Sequence, residues 1–229
     1  MTAPIFSRKR LAVNDFRNAL LALPFVKAKP DGTLDMWAVK PSGLPYYDVP
    51  TGRGFCAWFL HFVRDHDAAH IFTHVAHSFY NSEPAPHILS GWGREFAEAL
   101  VAADETCSPL LLASGKTYHG GDLHAARLAL PFVKEREDGT VDHFAVDHDA
   151  PEGSARGRYY AALCAKYMRD TGDLALYPLI CADFDRTDCD TVLSIGFLTA
   201  LCEIATASSL TATTHQKAAK VHFNAATPA

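Results

Sequence analysis

No stretch of this 229-residue chain approaches the ~20 consecutive apolar residues of a membrane-spanning helix. Arg8, Lys9 and Arg10 near the N-terminus are followed by no apolar stretch, so a secretory signal is not expected. The six cysteines, Cys56, Cys107, Cys164, Cys181, Cys189 and Cys202, contain no C-x-x-C pair, which leaves out zinc knuckles and thioredoxin-type redox motifs. Positive charge is also short: the formal net charge is -5. Residues 1–111 hold 10 Lys/Arg against 11 Asp/Glu, and the remainder holds 11 against 15, so neither part is a basic platform for phosphate backbones. A P-loop, G-x-G-x-x-G and H-E-x-x-H are all absent. These absences argue against membrane and nucleic-acid partners. The cysteines are expected to be reduced, buried small hydrophobes in a cytoplasmic protein.

What the chain does contain is a phrase written twice. LALPFVK occupies residues 21–27 and again 128–134. With an offset of 107, residues 5–39 align without gaps on 112–146, and seventeen of these thirty-five positions are identical, among them Lys9 with Lys116. An offset of 105 then continues the match. It pairs Gly52-Arg53 with Gly157-Arg158, Arg64-Asp65 with Arg169-Asp170, Gly91 with Gly196 and Glu98 with Glu203. A period of about 106 is too long for a solenoid repeat and suits a small domain. The expectation is a tandem duplication: residues 1–103 and 112–208 as two domains, 104–111 as linker, and 209–229 as a polar tail.

Each domain is expected to be α+β and predominantly helical. A first helix over 15–23 (122–130) stops at Pro24 (Pro131), because the residue before proline is pushed out of the helical region. Strands at 25–27 and 34–39 (returning at 141–146 in the second domain) flank Asp31-Gly32 and Asp138-Gly139, dipeptides suited to hairpin turns. A Pro/Gly-rich loop, 41–50 (149–155), leads to a helix over 53–65 (158–170), and two more helices follow, over 68–80 and 88–102. In the second domain Pro178 is expected to shorten or kink the first of these, and the last spans 191–207. Leu21, Leu23 and Phe25, with Leu128, Leu130 and Phe132, are the strongest core candidates. Trp37, Trp58 and Trp92 face Phe144, Leu163 and Phe197 across the alignment and are expected to be core rather than a base-stacking platform.

Three patterns carry possible chemistry. The paired Gly52-Arg53 and Gly157-Arg158 are placed to open helices, where exposed backbone N–H groups and a guanidinium fork could hold an anion; the local alternative is an arginine paired with an acidic neighbour. His70, His74 and His77 have i, i+4, i+7 spacing, and two imidazoles one turn apart can chelate a divalent metal such as zinc; the alternative is a solvated polar face. The third is acidic: Leu179–Thr187 resembles the first motif of haloacid-dehalogenase-type phosphatases, which would make Asp183 a nucleophile and Asp185 a general acid. That family needs a downstream lysine and further acidic ligands on a doubly wound sheet, and the ~40 residues that follow read as one helix and a tail, so a solvated acidic loop capping the last helix through Asp188 or Asp190 is expected instead. Cys189, flanked by Asp188 and Asp190, is no candidate thiolate.

The function expected from this pattern is non-catalytic macromolecule binding, as an adaptor, regulator or inhibitor with a protein partner, through two pseudo-symmetric surfaces that include Lys9, Lys116 and the Gly-Arg pairs. The alternative is a metal-dependent hydrolase that uses the first-domain histidines.

Overall fold

The computed structural model describes residues 13–81, 85–102, 120–147, 151–183 and 191–207. The expected linker 104–111, the tail 209–229, Lys9, Lys116, Asp185, Asp188, Cys189 and Asp190 lie outside them. The chain is helical with two small antiparallel hairpins. In order the elements are α1 (Val13–Leu21), β1 (Lys27–Ala28), β2 (Leu34–Asp35), α2 (Pro45–His66), α3 (Ile71–Asn81), α4 (Pro86–Val101), α5 (Gly120–Leu128), β3 (Lys134–Glu135), β4 (Val141–Asp142), α6 (Gly153–Thr171), α7 (Leu176–Asp183) and α8 (Val192–Ala207).

The shared phrase folds the same way twice. In the first half, helix α1 ends before Pro24, Phe25 is fully buried, and its carbonyl accepts the Ala38 N–H at 2.7 Å. In the second, Phe132 is equally buried and accepts from Ala145 at 2.9 Å. Gly32 and Gly139 carry φ of +84° and +80°, the left-handed turn conformation that glycine adopts without strain. Before each, an aspartate folds back on the turn: Asp31 accepts the Thr33 N–H and hydroxyl, and Asp138 accepts those of Thr140. The strands are shorter than the expected 34–39 and 141–146. Asp35 accepts the Trp37 N–H at 3.0 Å and Asp142 that of Phe144, turning the chain so that Trp37 and Phe144 enter the core instead of continuing a ladder. Leu23 and Leu130 are buried as expected, whereas Leu21 and Leu128 only lean on the core and Leu20 is buried beside them.

Helix α2 begins eight residues earlier than expected. Pro45 occupies its first position, where a missing N–H costs nothing. Buried Asp48 then reaches back to accept the Ser42 and Gly43 N–H groups and the Ser42 hydroxyl. The proline and glycine content that suggests a loop over 41–50 is therefore partly the first turns of a 22-residue helix, with Pro50 inside it. Helix α6 likewise starts at Gly153, ahead of the expected 158.

Helices α2 and α4 pack closely, as do α6 and α8. At the first crossing a Cβ on Gly52 would stand under 3.0 Å from the Ile88 carbonyl, and one on Gly91 would meet that of Val49. At the second, a Cβ on Gly157 would meet the Leu193 carbonyl and one on Gly196 the Ser154 carbonyl. Only hydrogen at these positions lets the two backbones touch. The halves then interlock: α3 packs along α8, α7 packs along α4, and α2, α4, α6 and α8 meet in the middle. Phe96 of α4 stacks between Phe72 of α3 and Tyr177 of α7, each with ring centroids 4.8 Å away, so a single apolar cluster runs through both halves.

Candidate functional site

The geometry corrects the Gly-Arg reading first. Gly52 is the eighth residue of α2 and Gly157 the fifth of α6, so neither opens a helix or presents unpaired N–H groups to an anion. Both glycines serve the helix crossings. Arg53 extends over the same crossing and donates from Nε to Glu95 at 2.8 Å and from its fork to Glu98. Glu95 is 2% exposed. Arg158 makes the corresponding link to Glu203 across α6 and α8, in a more exposed setting. The matched Gly, Arg, Gly and Glu positions thus form one device in each half: a close crossing locked on its rim by an ion pair.

The histidines do not form the expected stripe on one helix. Asp67 takes a left-handed conformation (φ 55°) and closes α2, the chain turns, and α3 starts at Ile71. His70 is therefore left in the turn, where its carbonyl accepts the Thr73 hydroxyl, while exposed His74 and half-buried His77 sit on α3. Among the described residues no three His, Cys, Asp or Glu side chains are grouped so as to hold a metal ion. His66 packs against the Phe16 and Phe62 rings, and His61 pairs with Asp65 at 2.8 Å.

Asp183 ends α7 and is taken up by the second hairpin: it accepts the His143 N–H at 2.9 Å and contacts His143 Nδ1 at 2.6 Å, with Arg136 at 3.6 Å. It fastens a hairpin to a helix. At the start of α8 the cap is Thr191, whose hydroxyl accepts the Ser194 N–H. Burial pushes the Cys164 thiol well up from its ordinary value and that of Cys181 up to about 12, and it raises Cys56 and Cys202 too; all four stay protonated at neutral pH.

Two features escape the sequence reading. One is a buried polar triad in the second half. Arg127 of α5 grips Asp173 with two bonds of 2.7 and 2.9 Å, and the Tyr167 hydroxyl donates to the same carboxylate at 3.0 Å. Burial raises the Tyr167 phenol to about 12, and its bond to Asp173 adds to this. Asp173 moves the other way: burial alone would raise it, but the bonds from Arg127 and Tyr167 outweigh that and hold it low. The aligned first-half positions are Leu20, Phe62 and Ala68, all apolar, so the exchange of an apolar contact for a polar one was visible in the alignment.

The other is an aromatic surface on α2. Leu44 is 56% exposed, Tyr46 81%, Tyr47 60% and Trp58 40%. The Tyr46 and Tyr47 rings pack edge to face at 5.2 Å. Tyr47, Thr51, Gly54 and Trp58 are spaced 4, 3 and 4 apart and so line one face of the helix. Between the two aromatics a Cβ on Gly54 would meet nothing within 4 Å, leaving a step in the surface. Trp58 was expected in the core because it aligns with Leu163; the helical spacing from Tyr47, three turns away, is the signal that places it outside. Trp37 and Trp92 are buried as expected. Comparison with known proteins finds no matching family model, no matching curated protein and no matching solved structure, so the reading of this surface rests on the chain's own residues.

Proposed function

We propose that the protein is a non-catalytic macromolecule-binding protein, an adaptor, regulator or inhibitor, that holds a protein partner on the outward face of α2. The observation that carries the reading is the exposure of Leu44, Tyr46, Tyr47 and Trp58 together. Tyrosine and tryptophan are the side chains most enriched at the centres of protein interfaces, and clustered exposed apolar groups on a globular protein mark contact surfaces. The open step at Gly54 offers a place for a partner's side chain between two aromatic walls. Arg53, Arg127, Arg158 and Asp183 are engaged in internal pairs, which suits a scaffold.

The two halves are read as products of a tandem duplication. The identities around LALPFVK, the matched aspartate turns, the paired glycine crossings and the paired Arg–Glu links support this. The second half carries Glu152, Arg156, Tyr159 and Leu163 at the positions of Tyr47, Thr51, Gly54 and Trp58, so the two faces are unequal and an asymmetric partner suits them. The test is affinity capture from the native host with the wild-type chain and with a Tyr46→Ser/Tyr47→Ser/Trp58→Ser variant. A partner held by the first and lost from the second, with unchanged circular dichroism, supports the reading. An identical captured set overturns it.

A further inference from the structure

A cavity of about 260 Å³ lies where the two halves meet, lined by Phe79, Leu89, Ser90, Trp92 and Gly93 from the first half and Tyr177, Pro178 and Cys181 from the second. Its wall is almost wholly apolar, and the Cys181 thiol stays uncharged. The pocket opens partly to solvent, but its wall offers water few polar partners. Gly93 places no side chain in it, and Pro178 approaches to within 3.3 Å of where a Cβ would stand. The aligned position on α8 is Leu198, which is buried. Trp92 lines the wall.

We propose that this junction binds a small, uncharged, apolar fused-ring molecule. The size agrees: a dry cavity of ~150 Å³ admits benzene, so this one takes two fused rings with short substituents. The aromatic lining of Phe79, Trp92 and Tyr177 supplies ring faces and edges for stacking. Because the site draws on both halves, its occupant would tie them together. None of the α2 surface residues takes part, so the site stands apart from the partner-binding reading.

The probe is 6-propionyl-2-(dimethylamino)naphthalene, an uncharged naphthyl ketone whose emission shifts to the blue in apolar surroundings. With the full chain, the expected result is saturable binding of one dye per chain, a blue shift and quenching of tryptophan emission. Cys181→Phe and Leu89→Phe each put a ring into the cavity and should weaken binding about tenfold or more, which corresponds to ~1.4 kcal/mol. Two substitutions are used so that a folded, cavity-filled variant is available if one misfolds. Dye binding that never saturates, that survives in the folded cavity-filled variants, or that is lost in Tyr46→Ser/Tyr47→Ser overturns the site.

Discussion

Gly52 and Gly54 stand two residues apart in one helix and answer to opposite constraints. At Gly52 a methyl group would press into the backbone of α4, whereas at Gly54 it would meet nothing. Gly52→Ala is therefore expected to destabilise the protein by about 1–3 kcal/mol or more through overpacking. Gly54→Ala should stabilise it by about 0.5–1 kcal/mol, since alanine restricts the unfolded chain and favours the helix. Urea midpoints of the two variants check this, and equal shifts would mean that the helices do not cross at Gly52. The aligned glycine Gly157 faces the same restriction, which is why glycine recurs at this position in both halves. The charged neighbours differ more. Arg53 covers buried Glu95, so Arg53→Met should cost about 1–3 kcal/mol. Arg158 and Glu203 are both largely solvated, and Arg158→Met should cost between roughly 0 and 1 kcal/mol.

Elements here are joined by carboxylates whose protonation sets the pH limits of the fold. Asp48 secures the start of α2. Burial would raise its pKa, but the bonds from Ser42 and Gly43 prevail and hold it below the ordinary value of 3.8. Because the folded value is depressed, its stabilisation is present above that ordinary value and is lost as pH falls through the folded one. Asp48→Ala should cost about 1–2 kcal/mol at neutral pH, comparable to loss of a helix cap, and should flatten the acid limb of the stability curve. Tyr167 behaves in the opposite sense. Its folded pKa is raised from 10.0 to about 12, so its contribution is whole below pH 10 and is lost as pH rises towards 12. Melting temperatures between pH 9 and 12 should fall in the wild type and fall less in Tyr167→Phe, which should itself be about 1–2 kcal/mol less stable at neutral pH for want of one bond to a charged acceptor. Identical alkaline profiles would remove Tyr167 as the titrating group.

At the scale of the whole molecule, the duplicated sequence suggests two independent domains, and the packing ties them into one body. Helices α3 and α7 each lie along a helix of the other half, and Phe96 is stacked between rings from both sides of the junction. Neither half covers its own apolar faces, so unfolding should be a single cooperative event. All three tryptophans, Trp37, Trp58 and Trp92, belong to the first half. Tryptophan fluorescence therefore follows that half and its junction with the second, while far-ultraviolet circular dichroism follows the helices of both. The two urea transitions should superimpose; a separation between them would show that the halves unfold independently.

The sequence by itself determined the local elements. Period-3.6 apolar spacing marked most of the helices, proline marked where α1 stops, and Asp-Gly marked the turns, because each depends on residues close together in the chain. It also marked Gly52, Arg53, Gly91 and Glu98 as positions repeated at 157, 158, 196 and 203. Their role, a close crossing locked by an ion pair, emerged only when residues some forty positions apart were brought together. The same holds for the triad of Arg127, Tyr167 and Asp173 and for the cavity beside Gly93. A glycine before an arginine reads locally as a helix start; only the carbonyl of a second helix lying against it reveals why no larger residue stands there.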